Sequence, residues 1–279
     1  MYFELASPAI VESSIDFGKA AEYAKKAWPT IPGLLKTRHC WEGSTLHFLT
    51  ENIQPTSINS KKPKVMLLFS NPHPDSVQQG LFMSESHSRG FWKILSNCMQ
   101  PKWNHEFQWN KSGISDTVSI LISGKYESPL MFFECLYQLP SESPEDLKRI
   151  FDRKTDDFQI YLHKPNLKRI SAIINMYNIN VVLIFTQETY NSVVDKPKIS
   201  KGSREVLRTC VEKDTNDAHF WEYLEERGLK DQVRLWGLSH DCTAIKIMDT
   251  YVKNRWFFKG SSIFSHVLCR GLRYAAEFG

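Results

Sequence analysis

The stretch "KVMLLFSNPHPDSVQQG", residues 64–80, joins a continuous apolar run, Val65–Phe69, to a polar segment opened by Ser70-Asn71-Pro72-His73-Pro74. A short unbroken apolar run fits a strand buried on both faces, as in a parallel sheet covered by helices. Proline donates nothing to a strand ladder, so the strand must end near Phe69. A polar, Pro-rich loop is expected next. A helix then follows from Ser88 to Met99, with Phe91, Ile94, Leu95 and Cys98 at helical spacing.

The same pattern repeats downstream. Met131–Leu139 reads as a second strand, ended by Pro140. Ser143-Pro144-Glu145-Asp146 is a helix start, with Ser at the cap and Pro in the first turn. A helix around Asn166–Tyr177 leads into a third buried strand, Val181–Phe185, and Val233–Leu238 reads as a fourth. Ser261 and Ser262 are placed to cap a last helix, Ile263–Ala276. Upstream, Ser14-Ile15-Asp16 reads as the start of a helix reaching Trp28, with Phe17, Ala20, Ala21, Tyr23 and Ala24 on one face. The first sixty residues are thus expected to be mostly helical, and residues 54–64, with Lys61, Lys62 and Lys64, to be a loop.

Strands alternating with helices imply an α/β fold: three layers, α/β/α, around a mostly parallel four-stranded sheet. The chain is read as one domain, 1–279, with a helical N-terminal extension over 1–60 and an insertion over 195–230 that carries its own amphipathic helix (Phe220, Trp221, Leu224). Ligands in such sheets bind at the carboxyl ends of the strands. That rule brings together three loops, 70–90, 137–142 and 239–262.

Composition bounds the chemistry. With 279 residues, 42% hydrophobic and 24% charged, the chain has enough apolar residues for a packed core. A net charge of +4 permits a polyanionic partner without requiring one. Residues 250–275 are more telling: Lys253, Arg255, Lys259, Arg270 and Arg273 interleave with Tyr251, Trp256, Phe257 and Phe258, and Glu and Asp are missing. Basic and aromatic residues mixed in this way suit phosphates and unstacked bases, although a solvated helix face has the same composition. The six cysteines lie 27 or more residues apart, so no C-x-x-C zinc or redox motif forms and an iron–sulfur cluster is not expected. No stretch approaches 18 apolar residues and no leader is read at the N-terminus, so a cytoplasmic protein is expected, or a nuclear one in a eukaryote. The G-x-S-x-G elbow, the phosphate loop, the dinucleotide fingerprint and H-E-x-x-H are missing, which argues against the chemistries they serve.

The residues around the opening stretch carry a resemblance. Phe69-Ser70-Asn71-Pro72-His73, then Gly80, then Arg89-Gly90-Phe91-Trp92-Lys93 resembles the first motif of the uracil-DNA glycosylase superfamily, above all its mismatch-specific thymine/uracil branch (G-x-N-P-G, then R/N-x-F-W-K). Val181–Phe185 followed by Thr186-Gln187-Glu188-Thr189 is similar to that family's third strand and turn. Arg255-Trp256-Phe257-Phe258-Lys259-Gly260-Ser261, with Phe264-Ser265, resembles its last helix start. The order agrees over residues 65–270.

The resemblance implies a DNA N-glycosylase without metal or other cofactor. Such an enzyme flips a pyrimidine nucleotide from DNA and hydrolyses its glycosidic bond through an oxocarbenium-like sugar. Asn71 matches the family's water-positioning residue, with Pro72 fixing the backbone beside it; the plainer reading of Asn71 is a turn residue. His240, in Ser239-His240-Asp241, stands where the family faces the departing base, and a surface or core histidine is its alternative. The wedge that fills the vacated stack has Ile247, Met248 and Tyr251 as candidates.

The rest of the base pocket departs from the family. Ser70, Pro72 and His73 line it from the first motif, and His73 stands where relatives carry Tyr or Gly to control C5 substituents. Met83, beside Phe82, replaces the stacking aromatic. Tyr137 and Gln138 occupy the strand end that often supplies an Asn to read the base. Lys253, Arg255, Lys259, Ser261 and Ser262 are the expected DNA-backbone contacts, with the serines at a helix N-terminus.

The implied function is excision of a modified or mismatched pyrimidine. One candidate substrate is a bulky modified cytosine, such as glucosylated hydroxymethylcytosine of phage DNA, removed in anti-phage defence. Uracil or thymine-mismatch repair is the alternative, and a catalytically silent DNA- or nucleotide-binding module is the reading from a different class. The expected partner is DNA, with no membrane, and the chain is expected to be a monomer.

Overall fold

The computed structural model describes residues 3–5, 7–57, 61–80, 91–92, 95, 111–126, 129–179, 181–184, 189, 192, 246–249 and 272. Over these residues the chain is a mixed α/β protein with one antiparallel sheet and one parallel sheet.

The N-terminal part is not mostly helical, contrary to the sequence reading. Three strands, β1 (Ile10–Asp16), β2 (His39–Glu42) and β3 (Thr45–Glu51), form an antiparallel sheet in the order β1-β3-β2. Short helices α1 (Ala21–Ala27) and α2 (Pro32–Leu35) lie between β1 and β2. The segment read as a helix start, Ser14-Ile15-Asp16, is the end of β1, paired with Thr45–His47. Asp16 does cap a turn there. Its Oδ1 accepts from Gly18 N–H at 2.9 Å and from the Ser44 hydroxyl at 2.7 Å, and these bonds, the Ser44 one first, lower its pKa. Helical residues begin only at Gly18. The expected helix face is otherwise right: Phe17, Ala20, Ala21 and Ala24 are buried, whereas Tyr23 is exposed. The partner that turns Ile10–Asp16 into a strand is Thr45–Glu51, too far along the chain for local periodicity to see.

Strand β4 (Lys64–Phe69) confirms the opening reading. Val65, Met66, Leu67 and Leu68 are each 0% exposed. Residues 70–80 were expected to form only a loop, but α3 (Pro74–Gln79) occupies part of them. Its start repeats the Pro-at-first-turn signal, and Gly80 closes it at φ 70°, a left-handed cap that Gly adopts without steric cost. Helix α4 (Lys111–Ser123) was not foreseen. Lys62, read as a loop residue, donates to the carbonyl of Tyr126 and, at 3.4 Å, to that of Gly124, just past the end of α4.

Strand β5 is Leu130–Cys135, shorter than the expected Met131–Leu139. Helix α5 (Pro144–Arg149) starts as read, with the Ser143 hydroxyl accepting from Asp146 N–H at 3.3 Å. A π-helix, Phe158–His163, runs straight into α6 (Lys164–Tyr177), which Asn178 ends at φ 51°. Strand β6 is Val181–Ile184. Parallel pairing joins β4 to β5 on one side and to β6 on the other, so β4 lies inside the sheet. Lys246–Asp249 (β7) runs parallel beside β6. The expected strand Val233–Leu238, the insertion 195–230 and the last helix, apart from Leu272, lie outside the described residues.

One core serves both sheets. Phe17, Trp28, Leu46 and Phe48 from the N-terminal part belong to the same buried cluster as β4, β5 and β6. Ile53 bonds Phe133 in both directions, at 3.0 and 2.8 Å, and so covers the outer edge of β5. Phe91, Trp92 and Leu95 are helical and 0% exposed. Phe91 meets Phe69 edge-on at 5.5 Å, and Trp92 stacks on Phe133 at 5.8 Å. Such aromatic pairs add about 0.5–1.5 kcal/mol each beyond area burial. They also fix one face of the sheet just behind the strand end that carries Asn71.

Candidate active site

Past Phe69 the backbone of β4 turns toward the segment after β5. Leu136 N–H donates to Phe69 O at 2.7 Å, Tyr137 N–H to Ser70 O at 2.8 Å, and Ser141 N–H to Pro72 O at 3.1 Å. The described starts of two of the three loops expected to converge, Ser70–Pro72 and Tyr137–Ser141, therefore meet at the carboxyl edge.

Asn71 is fixed at this junction. Its Nδ2 donates to Ser141 O at 2.7 Å, to Ser141 Oγ at 3.0 Å and to Pro72 O at 3.2 Å. Two of these partners are carbonyls, which only accept, so the amino group must face them. The orientation of the carboxamide is thereby decided by chemistry, and Oδ1 remains as an acceptor. Ser141, 1% exposed, is itself held by donating its hydroxyl to Ser143 O at 2.7 Å. Next to Asn71, the Ser70 hydroxyl is buried without a hydrogen-bond partner among the described residues.

His73 caps α3. Its Nδ1 accepts from Asp75 N–H at 3.3 Å, so in the neutral ring the proton is on Nε2. Lys36 ties the two loops together from outside. Its ammonium lies 3.3 Å from Glu142 Oε1 and 3.5 Å from Asp75 Oδ1, and the bond to Glu142, then the charge of Asp75, raise its pKa. Thr37, beside it, donates to Pro140 O at 3.2 Å.

The remaining described candidates have other partners. The Tyr137 hydroxyl is 2.9 Å from His163 Nδ1, with Phe158 packed against both rings. Burial, then the neighbouring Lys164, lowers the His163 pKa. Gln138 Oε1 accepts from Ser13 Oγ at 2.9 Å, and its carbonyl accepts from Thr50. Beneath this turn Glu134, 1% exposed, accepts from Arg169 Nη1 at 2.7 Å and from Gln54, and Arg169 also donates to Cys135 O. That pair anchors α6 to the end of β5.

The structure thus gathers Ser70, Asn71, Pro72 and His73 with Ser141 and Lys36, and it ties Tyr137 and Gln138 to neighbouring elements. Phe82, Met83, His240, Lys253, Arg255, Lys259, Ser261 and Ser262 lie outside the described residues. Ser141 went unnoticed in the sequence, although it follows Pro140 inside a loop expected at the site. Nothing local marked Lys36, whose role depends on the antiparallel sheet bringing it there. Among the described residues no three His, Cys, Asp or Glu side chains gather as a metal would need, and no helix is long and apolar enough to cross a membrane. No known family model matches the chain, and no characterised protein matches it either.

Proposed function

We propose that the chain is a monofunctional DNA glycosylase that flips out a modified or mismatched pyrimidine and hydrolyses its glycosidic bond. The observation that carries this reading is the Asn71 carboxamide, with its amino group tied to Ser141 and Pro72 and its oxygen left as an acceptor at a strand's carboxyl end. An amide oxygen so held accepts a hydrogen bond from a water and turns a lone pair of that water toward C1′ of the sugar. The C1′–N bond breaks as the base leaves with its electron pair. Water oxygen bonds C1′, and its proton ends on the departing base or on solvent. An amide is no general base, so Asn71 acts by orientation, the kind of contribution that near-attack positioning supplies. His240 is the proposed donor to the leaving base, and the basic aromatic segment 253–262 the proposed grip on the DNA backbone.

In this reading the parallel sheet is the centre of a three-layer α/β/α domain. His73, a helix cap standing where the glycosylase family that the motif resembles sets C5 selectivity, favours a substrate other than plain uracil, such as a bulky modified cytosine of phage DNA. The divergence around Ser239-His240-Asp241 favours a second reading, a catalytically silent DNA-binding module. A base-release assay separates the two. The protein is incubated with duplexes bearing uracil, mismatched thymine or glucosylated hydroxymethylcytosine, and abasic sites are read by alkali cleavage. Strand breaks on one of these DNAs support the glycosylase. Tight binding to DNA with no breaks on any supports the silent module.

A further inference from the structure

A second polar recess lies between β1 and the π-helix. It is an open cleft of about 240 Å³ lined by Ile15, Asp16, Gln138, Tyr161, Asn166 and Arg169, with Ile160 at its mouth. That volume is below the roughly 300–1,000 Å³ of drug-sized sites, so it suits one small ring system.

The polar groups of the cleft are partly used and partly left over. Gln138 spends its Oε1 on Ser13, which leaves Nε2 as a donor. Asn166, 6% exposed, spends Nδ2 on Leu162 O at 2.8 Å, which leaves Oδ1 as an acceptor. Asp16 spends Oδ1 on Gly18 and Ser44. Its hydrogen bonds lower its pKa, so at neutral pH its second oxygen is a charged acceptor. Gln138 Nε2, Asn166 Oδ1 and the second Asp16 oxygen are thus open to a ligand entering the recess.

The flat wall is built in as well. Gly18 sits at φ +49°, and a Cβ there would lie 3.0 Å from Tyr161 Cε1 and 3.1 Å from its hydroxyl. Only glycine lets the Tyr161 ring lie there. The wall also belongs to a π-helix, a geometry that recurs at functional sites.

We infer that this cleft binds a free nucleobase or nucleoside. It would take a planar ring against Tyr161, a ring carbonyl on Gln138 Nε2, and ring or exocyclic N–H groups on Asn166 Oδ1 and the Asp16 carboxylate. Gln138 is also a base-pocket candidate of the glycosylase reading, so the Asn71→Ala control below tells the two sites apart.

The test is saturation-transfer NMR of the full chain with cytosine, uracil, adenine, cytidine and adenosine, followed by titration of whichever binds. At least one is expected to bind, with affinity at least tenfold weaker in Gln138→Leu and in Ile160→Trp and unchanged in Asn71→Ala. Ile160 is 48% exposed, so Trp there blocks the mouth without removing a core contact and keeps the test valid if Gln138→Leu unfolds. If none of the five binds, or if binding survives Ile160→Trp, the inference is wrong. Loss of binding in Asn71→Ala moves the ligand to the strand edge and overturns it too.

Discussion

Replacing Asn71 by Asp looks conservative, yet the geometry predicts a pH-dependent loss of stability. Nδ2 lies 2.7 Å from Ser141 O and 3.2 Å from Pro72 O. In Asn71→Asp an oxygen takes its place, and an ionised carboxylate then faces two carbonyl oxygens. Ser141 O also loses its donor. An unsatisfied buried acceptor costs about 1–3 kcal/mol. At 1.36 kcal/mol per pKa unit, the new carboxyl is pushed roughly one to two units above the ordinary ~3.9 of Asp. Protonated, it donates to Ser141 O and the penalty disappears.

The sign follows from linkage. A carboxyl with its folded pKa above its unfolded one binds protons more tightly when folded, so stability falls as pH rises through that window. The penalty is absent below about pH 4, grows between about pH 4 and 6, and is complete above that. Urea unfolding of wild type and variant at pH 4.5 and pH 7.5 measures it. The expected destabilisation at pH 7.5 is about 2 kcal/mol, and at pH 4.5 clearly less. A variant as stable as wild type at pH 7.5, or equally destabilised at both pH values, refutes this orientation of the carboxamide.

Other perturbations separate the site from its scaffold. Ser141→Ala removes the 3.0 Å bond from Asn71 and the 2.7 Å bond to Ser143. At about 1 kcal/mol per bond it should cost roughly 1–2 kcal/mol in urea unfolding, and it should slow base release about tenfold with KM little changed. Glu134→Gln breaks the ion pair to Arg169, whose side chain is 22% exposed. About 2 kcal/mol of stability should be lost, less than the ~3–5 typical of a fully buried pair, with thermal unfolding as the readout. His163 has its folded pKa below the unfolded value of about 6.5, so wild-type stability should fall as pH drops below that value. His163→Gln should flatten this part of the pH–stability profile, and an unchanged profile would remove His163 as its source.

What the sequence revealed follows the range of the forces involved. Val65–Phe69 needs no partner to be recognised, because a strand buried on both faces must be apolar throughout. The Ser143-Pro144 start was equally legible, since a cap and a first-turn proline act within four residues. His73-Pro74 carried the same proline signal, but the polar residues after it suggested a loop. Ile10–Asp16 misled for the opposite reason. Its Ser and Asp are good helix starters, and only pairing with Thr45–Glu51 makes it a strand. At the site, Asn71 was visible because it stands between a strand and a proline. Ser141 bonds Asn71 from 70 residues away in sequence, and Lys36 ties Asp75 to Glu142 beside it, through contacts that exist only once the chain is folded.

The central claim is that Asn71 orients the water that releases a base. Its most direct test is single-turnover base release from DNA carrying uracil, mismatched thymine or glucosylated hydroxymethylcytosine, comparing wild type with Asn71→Ala. The account predicts abasic sites from at least one of these DNAs, with the rate falling about a hundredfold or more in Asn71→Ala while DNA binding is retained. That loss corresponds to roughly 3 kcal/mol of barrier. Release by Asn71→Ala at the wild-type rate, or no release from any of the three by wild type, contradicts it.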